Sequence, residues 1–207
     1  MYYRIVKMII SLIFRLLARI EIVGVENVPQ EGPYIVICNH LSRFDPPLLL
    51  IALPARMTVL AANKYRDHPL FGPFLSSMGA IYVRRGEVDR QALRACLNAL
   101  KGGGIIGMAP EGTRSSTGAL QEGRTGVAYL ASRAGVPILP VAITGTEKIP
   151  ASLKRFRRGQ VKVVIGETFT LPVTERKARG KQLKEFTELI MRRLADLLPE
   201  EYRGVYR

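Results

Sequence analysis

Short apolar runs break off into polar loops all along this chain, and helix-like segments separate them. An α/β sheet is the architecture that satisfies this alternation. Tyr34-Ile35-Val36-Ile37-Cys38 is the clearest run. Ile20 to Val25, Met57 to Ala62, Gly79 to Arg85, Ile105 to Met108, Val136 to Val141 and Val161 to Ile165 read as further strands. A short helix opens at Pro46, and Phe71 to Leu75 forms an apolar loop or short helix. Glu87 to Leu100 is an amphipathic helix stopped by Gly102-Gly103-Gly104, Arg124 to Ala134 is one ended by Gly135, and Lys181 to Leu198 is one stopped by Pro199. The glycine triplet precedes a strand, so it lacks the spacing of a nucleotide-binding loop. The expected fold is α/β: a single domain with a mixed, mostly parallel sheet flanked by helices. With 207 residues the chain holds one full core and hardly two.

The ends of these strands carry the chemistry. After Cys38 comes Asn39-His40-Leu41-Ser42-Arg43-Phe44-Asp45-Pro46, which delivers a histidine at a strand tip. Asp45 stands where an aspartate caps a helix whose first residue is proline. On a regular helix, residues five apart lie roughly 140° apart around the axis. A strand-turn-helix corner instead brings Asp45 back against His40. A carboxylate there fixes the imidazole tautomer and leaves the outward nitrogen to take a proton from a substrate. Ala109-Pro110-Glu111-Gly112-Thr113-Arg114-Ser115 likewise opens from a buried-looking strand, and Ile81-Tyr82-Val83 ends in Arg84-Arg85. Strand ends bearing His/Asp, Arg and Glu/Arg are where an open α/β sheet gathers an active site. Cys38 sits inside a strand and Cys96 inside a helical pattern, as buried thiols of a reducing compartment do. His68 before Pro69 reads as a turn residue. The histidines and cysteines show no metal-ligand spacing, so no metal is expected.

The formal net charge of +14 calls for an anionic partner: a phospholipid surface, a phosphorylated substrate or a nucleic acid. Residues 1–20 read as an amphipathic membrane-associating helix, leaving 21–207 as the catalytic domain. Arg4, Lys7, Ser11, Arg15 and Arg19 share one face. Ile5, Val6, Ile9, Leu12, Ile13, Leu16, Leu17 and Ile20 share the other, with Met8 and Phe14 as flanking exceptions. The apolar stretch is far short of the ~20 residues a spanning helix needs. A helix lying in the membrane interface is therefore expected, its cations at headgroup level. Burying eight aliphatics at ~1.5 kcal/mol each gives an upper bound near 12 kcal/mol. The alternative is a helix that packs on the domain with its basic face in water.

Four blocks in order resemble the glycerolipid acyltransferase family, closest to its 1-acyl-glycerol-3-phosphate O-acyltransferase (lysophosphatidate acyltransferase) branch. The first is His40 with Asp45. The second is Gly79, Ile81 and Arg85; the third runs from Pro110 to Ser115; the fourth is Val136-Pro137-Ile138 with Pro140. The C-terminal Leu198-Pro199-Glu200-Glu201-Tyr202-Arg203-Gly204 is also similar. Ala109 departs from an aromatic usual before the third block, and Gln121-Glu122 stand where many members carry a lysine, so Arg124 becomes a further candidate phosphate contact. The resemblance implies acyl transfer from acyl-CoA or acyl-carrier protein to a lysophosphatidate hydroxyl. No cofactor is implied beyond the acyl carrier, and no nucleic acid. His40 would be the general base and Asp45 its orienting partner. Glu111 and Gly112 would help hold the glycerol portion, with Thr113 in the same loop. Arg85 and Arg114 suit the acceptor phosphate because guanidinium forks match phosphate oxygens. Backbone amides around Gly112 or the turn after Asn39 are candidates for an oxyanion hole. The expected location is the cytoplasmic face of the cell membrane, peripheral or monotopic. Three other acceptors stay open within the enzyme reading: glycerol-3-phosphate, another lysophospholipid, or a glycolipid. A basic module that binds membranes or nucleic acid without catalysis is the alternative from another class.

Overall fold

A computed structural model describes every residue except 1, 70, 78, 85–88 and 173–177. Helix α1 (Tyr2–Leu17) leads directly into β1 (Ala18–Val23). There follow β2 (Tyr34–Cys38), α2 (Asp45–Ala52), β3 (Thr58–Ala62), α3 (Phe71–Ser77), β4 (Ile81–Val83) and α4 (Arg90–Lys101). The chain continues through β5 (Ile105–Met108), α5 (Gly126–Ala134), β6 (Ile138–Thr144), α6 (Ile149–Lys154), β7 (Gly159–Ile165) and α7 (Gly180–Ala195). The strands form one sheet in the order β1-β7-β6-β2-β5-β3-β4. Neighbours run parallel except β6 and β7, so the mixed, mostly parallel sheet expected from the sequence is present.

Apolar alternation explains why both faces of the sheet are covered. In β2 every residue is buried: Ile35 and Ile37 join Leu100, Leu130 and Ile190 of α4, α5 and α7. Tyr34, Val36 and Cys38 join Phe14, Leu48 and Leu49 of α1 and α2 on the other face. A parallel strand enclosed on both sides reads as a continuous apolar run, which is why this one was so legible. Fully burying each such aliphatic side chain stabilises the fold by about 1.5–3 kcal/mol.

The single antiparallel pair decides where elements meet. Val141 pairs with Ile165 and Thr144 with Lys162, so β7 starts where β6 ends. Strand β1 runs parallel to β7, with Ala18 opposite Gly159. The first residues of β1 and β7 therefore share a rim of the sheet with the last residues of β2, β5 and β6. The C-terminal end of α1 arrives at that rim.

Helix α1 divides its surface differently from the expected two faces. Strand β1 begins at Ala18, inside the segment 1–20 taken as helix. Lys7, expected at headgroup level, turns inward and its Nζ donates to the Leu53 carbonyl at the C-terminal end of α2, 2.6 Å away. That carbonyl is an orphan acceptor of the helix end, so a cation is stabilised there. Phe14 is buried, with its ring edge-on to Phe44 at 6.2 Å. Ile5, Met8, Ile9, Leu12, Ile13 and Leu16 are left exposed at helical spacing, with Leu16 69% exposed. Met8 thus belongs to the outer stripe, while Val6 and Leu17 are half-buried. Among the described residues, no helix is long and apolar enough to cross a membrane.

Other boundaries moved by a few residues. Pairing with β7 carries β6 on to Thr144, beyond the expected Val141. Helix α4 begins at Arg90 because Asp89 caps it; the expected start, Glu87, lies outside the described residues. Asp89 Oδ1 accepts from the Ala92 N–H and Oδ2 from the Arg84 N–H, both at 3.0 Å. These backbone donors hold the Asp89 carboxyl below its ordinary range, the Ala92 bond first. Asp89→Ala is expected to destabilise the protein by about 1 kcal/mol in urea titration at neutral pH. A depressed carboxyl contributes stability above its ordinary range and loses it as pH falls through the depressed value, so the difference between variant and wild type closes in strong acid.

Candidate active site

Asn39, one residue past β2, is 1% exposed and continues the ladder with its side chain. Its Nδ2 donates to the Ile143 carbonyl at 2.7 Å, and its Oδ1 accepts from the Ile143 N–H at 2.8 Å. The strand end is thereby fastened to β6, and His40 emerges from a fixed point. Sequence reasoning passed over Asn39 because an asparagine after a strand reads as an ordinary loop opener.

Beyond it the loop closes around Asp45. His40 Nδ1 lies 2.8 Å from Asp45 Oδ2, and the carboxylate is 1% exposed. The same oxygen accepts from the Leu41 and Ser42 N–H groups at 2.7 Å each. Oδ1 accepts from the Thr146 hydroxyl at 2.5 Å and from Ser42 Oγ at 3.4 Å. Asp45 is not the helix cap expected of it. Phe44 occupies the cap position with no side-chain bond, and Asp45 is the first helical residue. Its carboxylate turns back into the loop because that loop presents two amides, an imidazole and a hydroxyl. A carboxylate so surrounded is an acceptor, so in the neutral imidazole the proton sits on Nδ1 and the lone pair on Nε2. The His40 side chain is 14% exposed, so the ring has access to solvent through a limited opening.

Thr146 is the second residue that sequence reasoning missed. It follows Gly145, whose φ of +87° lets β6 leave the sheet at a point where a Cβ would collide with the Gln160 carbonyl. Thr146 is fully buried and is separated from Asp45 by 101 positions. Only the adjacency of β6 and β2 brings the two together.

The third block grips the same histidine through its backbone. Glu111 is 3% exposed and points inward. Its Oε1 accepts from the His40 N–H at 3.1 Å and its Oε2 from the Gln121 N–H at 3.0 Å. The Ser115 N–H donates to the His40 carbonyl at 2.7 Å. Burial pushes the Glu111 carboxyl up, and the Gln121 and His40 amides oppose that push in part. Glu111, expected from the resemblance to hold the glycerol portion, thus has both oxygens engaged in joining two loops. Four of the amide groups suggested for an oxyanion hole are engaged too. His40, Leu41 and Ser42 donate to carboxylates, and Gly112 donates to the Ala109 carbonyl at 3.1 Å.

Gly112, Thr113 and Arg114 form an exposed rim beside this clamp. Gly112 has φ +72°, and a Cβ there would stand 2.8 Å from Arg124 Cδ, so the Arg124 side chain lies across the glycine. The structure therefore brings Arg124 to the third block. Arg85 lies outside the described residues. Cys38 is buried beneath the loop, and burial, followed by the neighbouring Asp45 and Glu111 carboxylates, pushes its thiol well up. A thiol so protonated is a poor nucleophile.

With this geometry in view, the likenesses to known proteins fall into place. An acyltransferase family model matches residues 19–144, which include the His40 and Glu111 loops. The chloroplastic 1-acyl-sn-glycerol-3-phosphate acyltransferase BAT2 of Brassica napus is 31% identical over 150 residues, covering 70% of this chain and 43% of that protein. The 1-acyl-sn-glycerol-3-phosphate acyltransferase of Bacillus subtilis is 26% identical over 191 residues, covering 91% of this chain and 92% of its own length. The crystal structure of the 1-acyl-sn-glycerophosphate (LPA) acyltransferase PlsC from Thermotoga maritima superposes with a TM-score of 0.72 at 25% identity, covering 91% of this chain and 76% of that one. The chain spans about two fifths of the length of the plant relatives (43% and 42%).

Thr146→Val removes the hydroxyl that faces buried Asp45 Oδ1 and keeps the volume. It is expected to destabilise the fold by about 1–3 kcal/mol, read as a lower urea midpoint with unchanged slope.

Proposed function

The chain belongs to the acyltransferase family, and on that premise we propose that it transfers a fatty acyl group from a thioester, acyl-CoA or acyl-carrier protein, to the free hydroxyl of 1-acyl-glycerol-3-phosphate, giving phosphatidic acid. The observation that carries the proposal is the 2.8 Å contact between His40 Nδ1 and the buried Asp45 carboxylate, which in the neutral ring places the proton on Nδ1 and leaves the Nε2 lone pair for the acceptor hydroxyl. His40 Nε2 takes the proton of the acceptor hydroxyl as its oxygen attacks the thioester carbonyl. Asp45 stabilises the imidazolium that forms. Collapse of the tetrahedral intermediate breaks the carbon–sulfur bond, and the imidazolium returns its proton to the leaving thiolate. No acyl-enzyme is required. A positioned base supplies roughly 10²–10⁴ in rate, and the remainder comes from positioning and from oxyanion stabilisation.

Arg114 and Arg124 are the described cations at the rim of the third block, and both suit the acceptor phosphate. Arg85 is proposed for the same role from the family pattern alone. Glu111 acts at one remove, by holding the His40 backbone. Chemistry of this kind takes no metal or organic cofactor beyond the acyl carrier.

Lipid acceptors live in a membrane, and α1 offers a way to meet one. Its six exposed aliphatics would each gain roughly 1 kcal/mol on entering the interface, on the order of 6 kcal/mol before ordering costs. Arg4, Arg15 and Arg19 are exposed beside them and suit an anionic leaflet, such as the cytoplasmic face of a cell membrane. The six replace the eight aliphatics counted from the sequence, because Val6 and Leu17 are half-buried, Ile20 belongs to β1 and Met8 joins the exposed stripe.

Three outcomes are expected. His40→Ala should lower thiol release from acyl-CoA in the presence of lysophosphatidate by about 10²–10⁴ while unfolding at a similar temperature; activity that persists would reject the mechanism. Arg124→Ala should raise KM for lysophosphatidate about tenfold or more with kcat little changed, since a hydrogen bond to a charged group contributes about 1.5–3 kcal/mol. The double variant Leu12→Glu, Leu16→Glu should no longer sediment with anionic phospholipid vesicles, and sedimentation equal to wild type would rule out α1 as the anchor.

A further inference from the structure

We propose that the loop following α6 is a second membrane contact, in which Phe156 seats at the headgroup–acyl boundary of an anionic phospholipid surface while Lys154, Arg155, Arg157 and Arg158 engage the headgroups around it. The proposal rests on α1 being the first contact. Four features of the loop support it, none of them used by the acyl-transfer site.

Phe156 is fully exposed, at 101% of its reference area. A large apolar ring held wholly in water is unfavourable for a protein that meets only solvent. Leu153, one turn earlier, is also exposed. Among the described residues, Phe156 is the one non-glycine with a positive φ, at 55°. Helix α6 closes there by the usual left-handed turn, with the Phe156 N–H donating to the Leu153 carbonyl at 2.9 Å and the Arg157 N–H to the Ser152 carbonyl at 3.0 Å. Glycine is the residue that fits such a turn without strain. The chain instead places a phenylalanine where it is both strained and unburied, so neither local conformation nor core packing accounts for the ring.

The cations point to the occupant. Lys154, Arg155, Arg157 and Arg158 are all exposed, and none forms an ion pair among the described residues. An aromatic ring collared by unpaired cations fits an anionic interface, where the ring partitions at headgroup depth and each cation adds attraction. Nucleic acid would favour several stacking platforms, and the loop has one. An acidic carrier protein would use the cations and leave the ring without a purpose.

Position makes the loop continuous with α1. Arg158 Nη2 donates to the Ala18 carbonyl at 3.3 Å, one residue beyond the last turn of α1. Gly159, which follows the loop, lies opposite Ala18 in the sheet. The Phe156 loop therefore stands beside the C-terminal end of α1, on the rim at which β2 ends and His40 emerges. One contact lets the domain rock about the axis of α1; a second, offset from that axis, sets how the rim faces the lipid.

The chain contains no tryptophan, so Phe156→Trp introduces a single indole. On vesicles of phosphatidylglycerol mixed with phosphatidylcholine, its emission should shift to the blue and be quenched by lipids with brominated acyl chains. Phe156→Gly, which suits the backbone of the turn, should bind these vesicles about tenfold more weakly, because an interfacial phenylalanine is worth on the order of a factor of ten. Its turnover of a short-chain, monomeric acceptor without vesicles should match wild type. Vesicle binding with an unshifted, unquenched indole would overturn the proposal and leave the α1 contact standing. Wild type that fails to bind vesicles at all would remove the α1 contact as well. Unchanged vesicle binding by Phe156→Gly, with activity lost only when an acyl-carrier protein is the donor, would assign the loop to donor docking and overturn the lipid contact.

Discussion

A carboxylate removed from water inside a protein must find donors for its lone pairs, and Asp45 finds them on three sides. The loop supplies the Leu41 and Ser42 amides, His40 supplies a ring N–H, and β6 supplies Thr146 through the turn that follows it. Taking Asp45 away would leave all of these donors facing one another without an acceptor. The imidazole is therefore oriented by the same group that closes the loop, and folding of the corner and orientation of the ring are one event. Charge-assisted bonds to a buried carboxylate are stronger than their neutral counterparts, which gives this small cluster an influence well beyond its size.

Around that cluster the fold is organised by strand ends. Each of β2, β5 and β6 delivers one part: the histidine loop, the Glu111 loop and Thr146. The Glu111 and Ser115 bonds to the two backbone groups of His40 tie the first two parts together directly. Covering both faces of the sheet with helices leaves its rim as the natural place for polar chemistry, since polar groups elsewhere would be enclosed in hydrocarbon. The rim is also where α1 arrives, so its exposed apolar stripe and the polar cluster belong to the same side of the fold.

The strands and the His40–Asp45 pair were legible in the sequence for one reason: both are local. An enclosed parallel strand is a continuous apolar run, and a His and an Asp five residues apart across a corner need no distant partner to meet. Thr146 was invisible because its meeting with Asp45 depends on strand order, which the sequence does not state. Its one available sign was position, immediately after a glycine at a strand end, as His40 follows Asn39. The block that holds Glu111 stood out in the sequence, but the direction of its carboxylate did not, since whether a carboxylate faces a ligand or a backbone amide depends on which loop packs over it. Lys7 fell on the basic face of a helical wheel, yet the wheel has no knowledge of the carbonyl at the end of α2 that drew it inward. Arg114 and Arg124 are exposed beside the third block, Arg124 lying across Gly112.

The Asn39 side chain stands in for one more rung of the ladder between β2 and β6. Side chains alternate along a strand, so this rung fixes the parity of what comes next as well as its height. An insertion of a single residue between Cys38 and Asn39 would aim the imidazole into the wrong layer, whereas length changes in loops that bond neither His40 nor Asp45 would leave it untouched. Relatives descended from this chain should accordingly drift in loop length almost anywhere before they drift there.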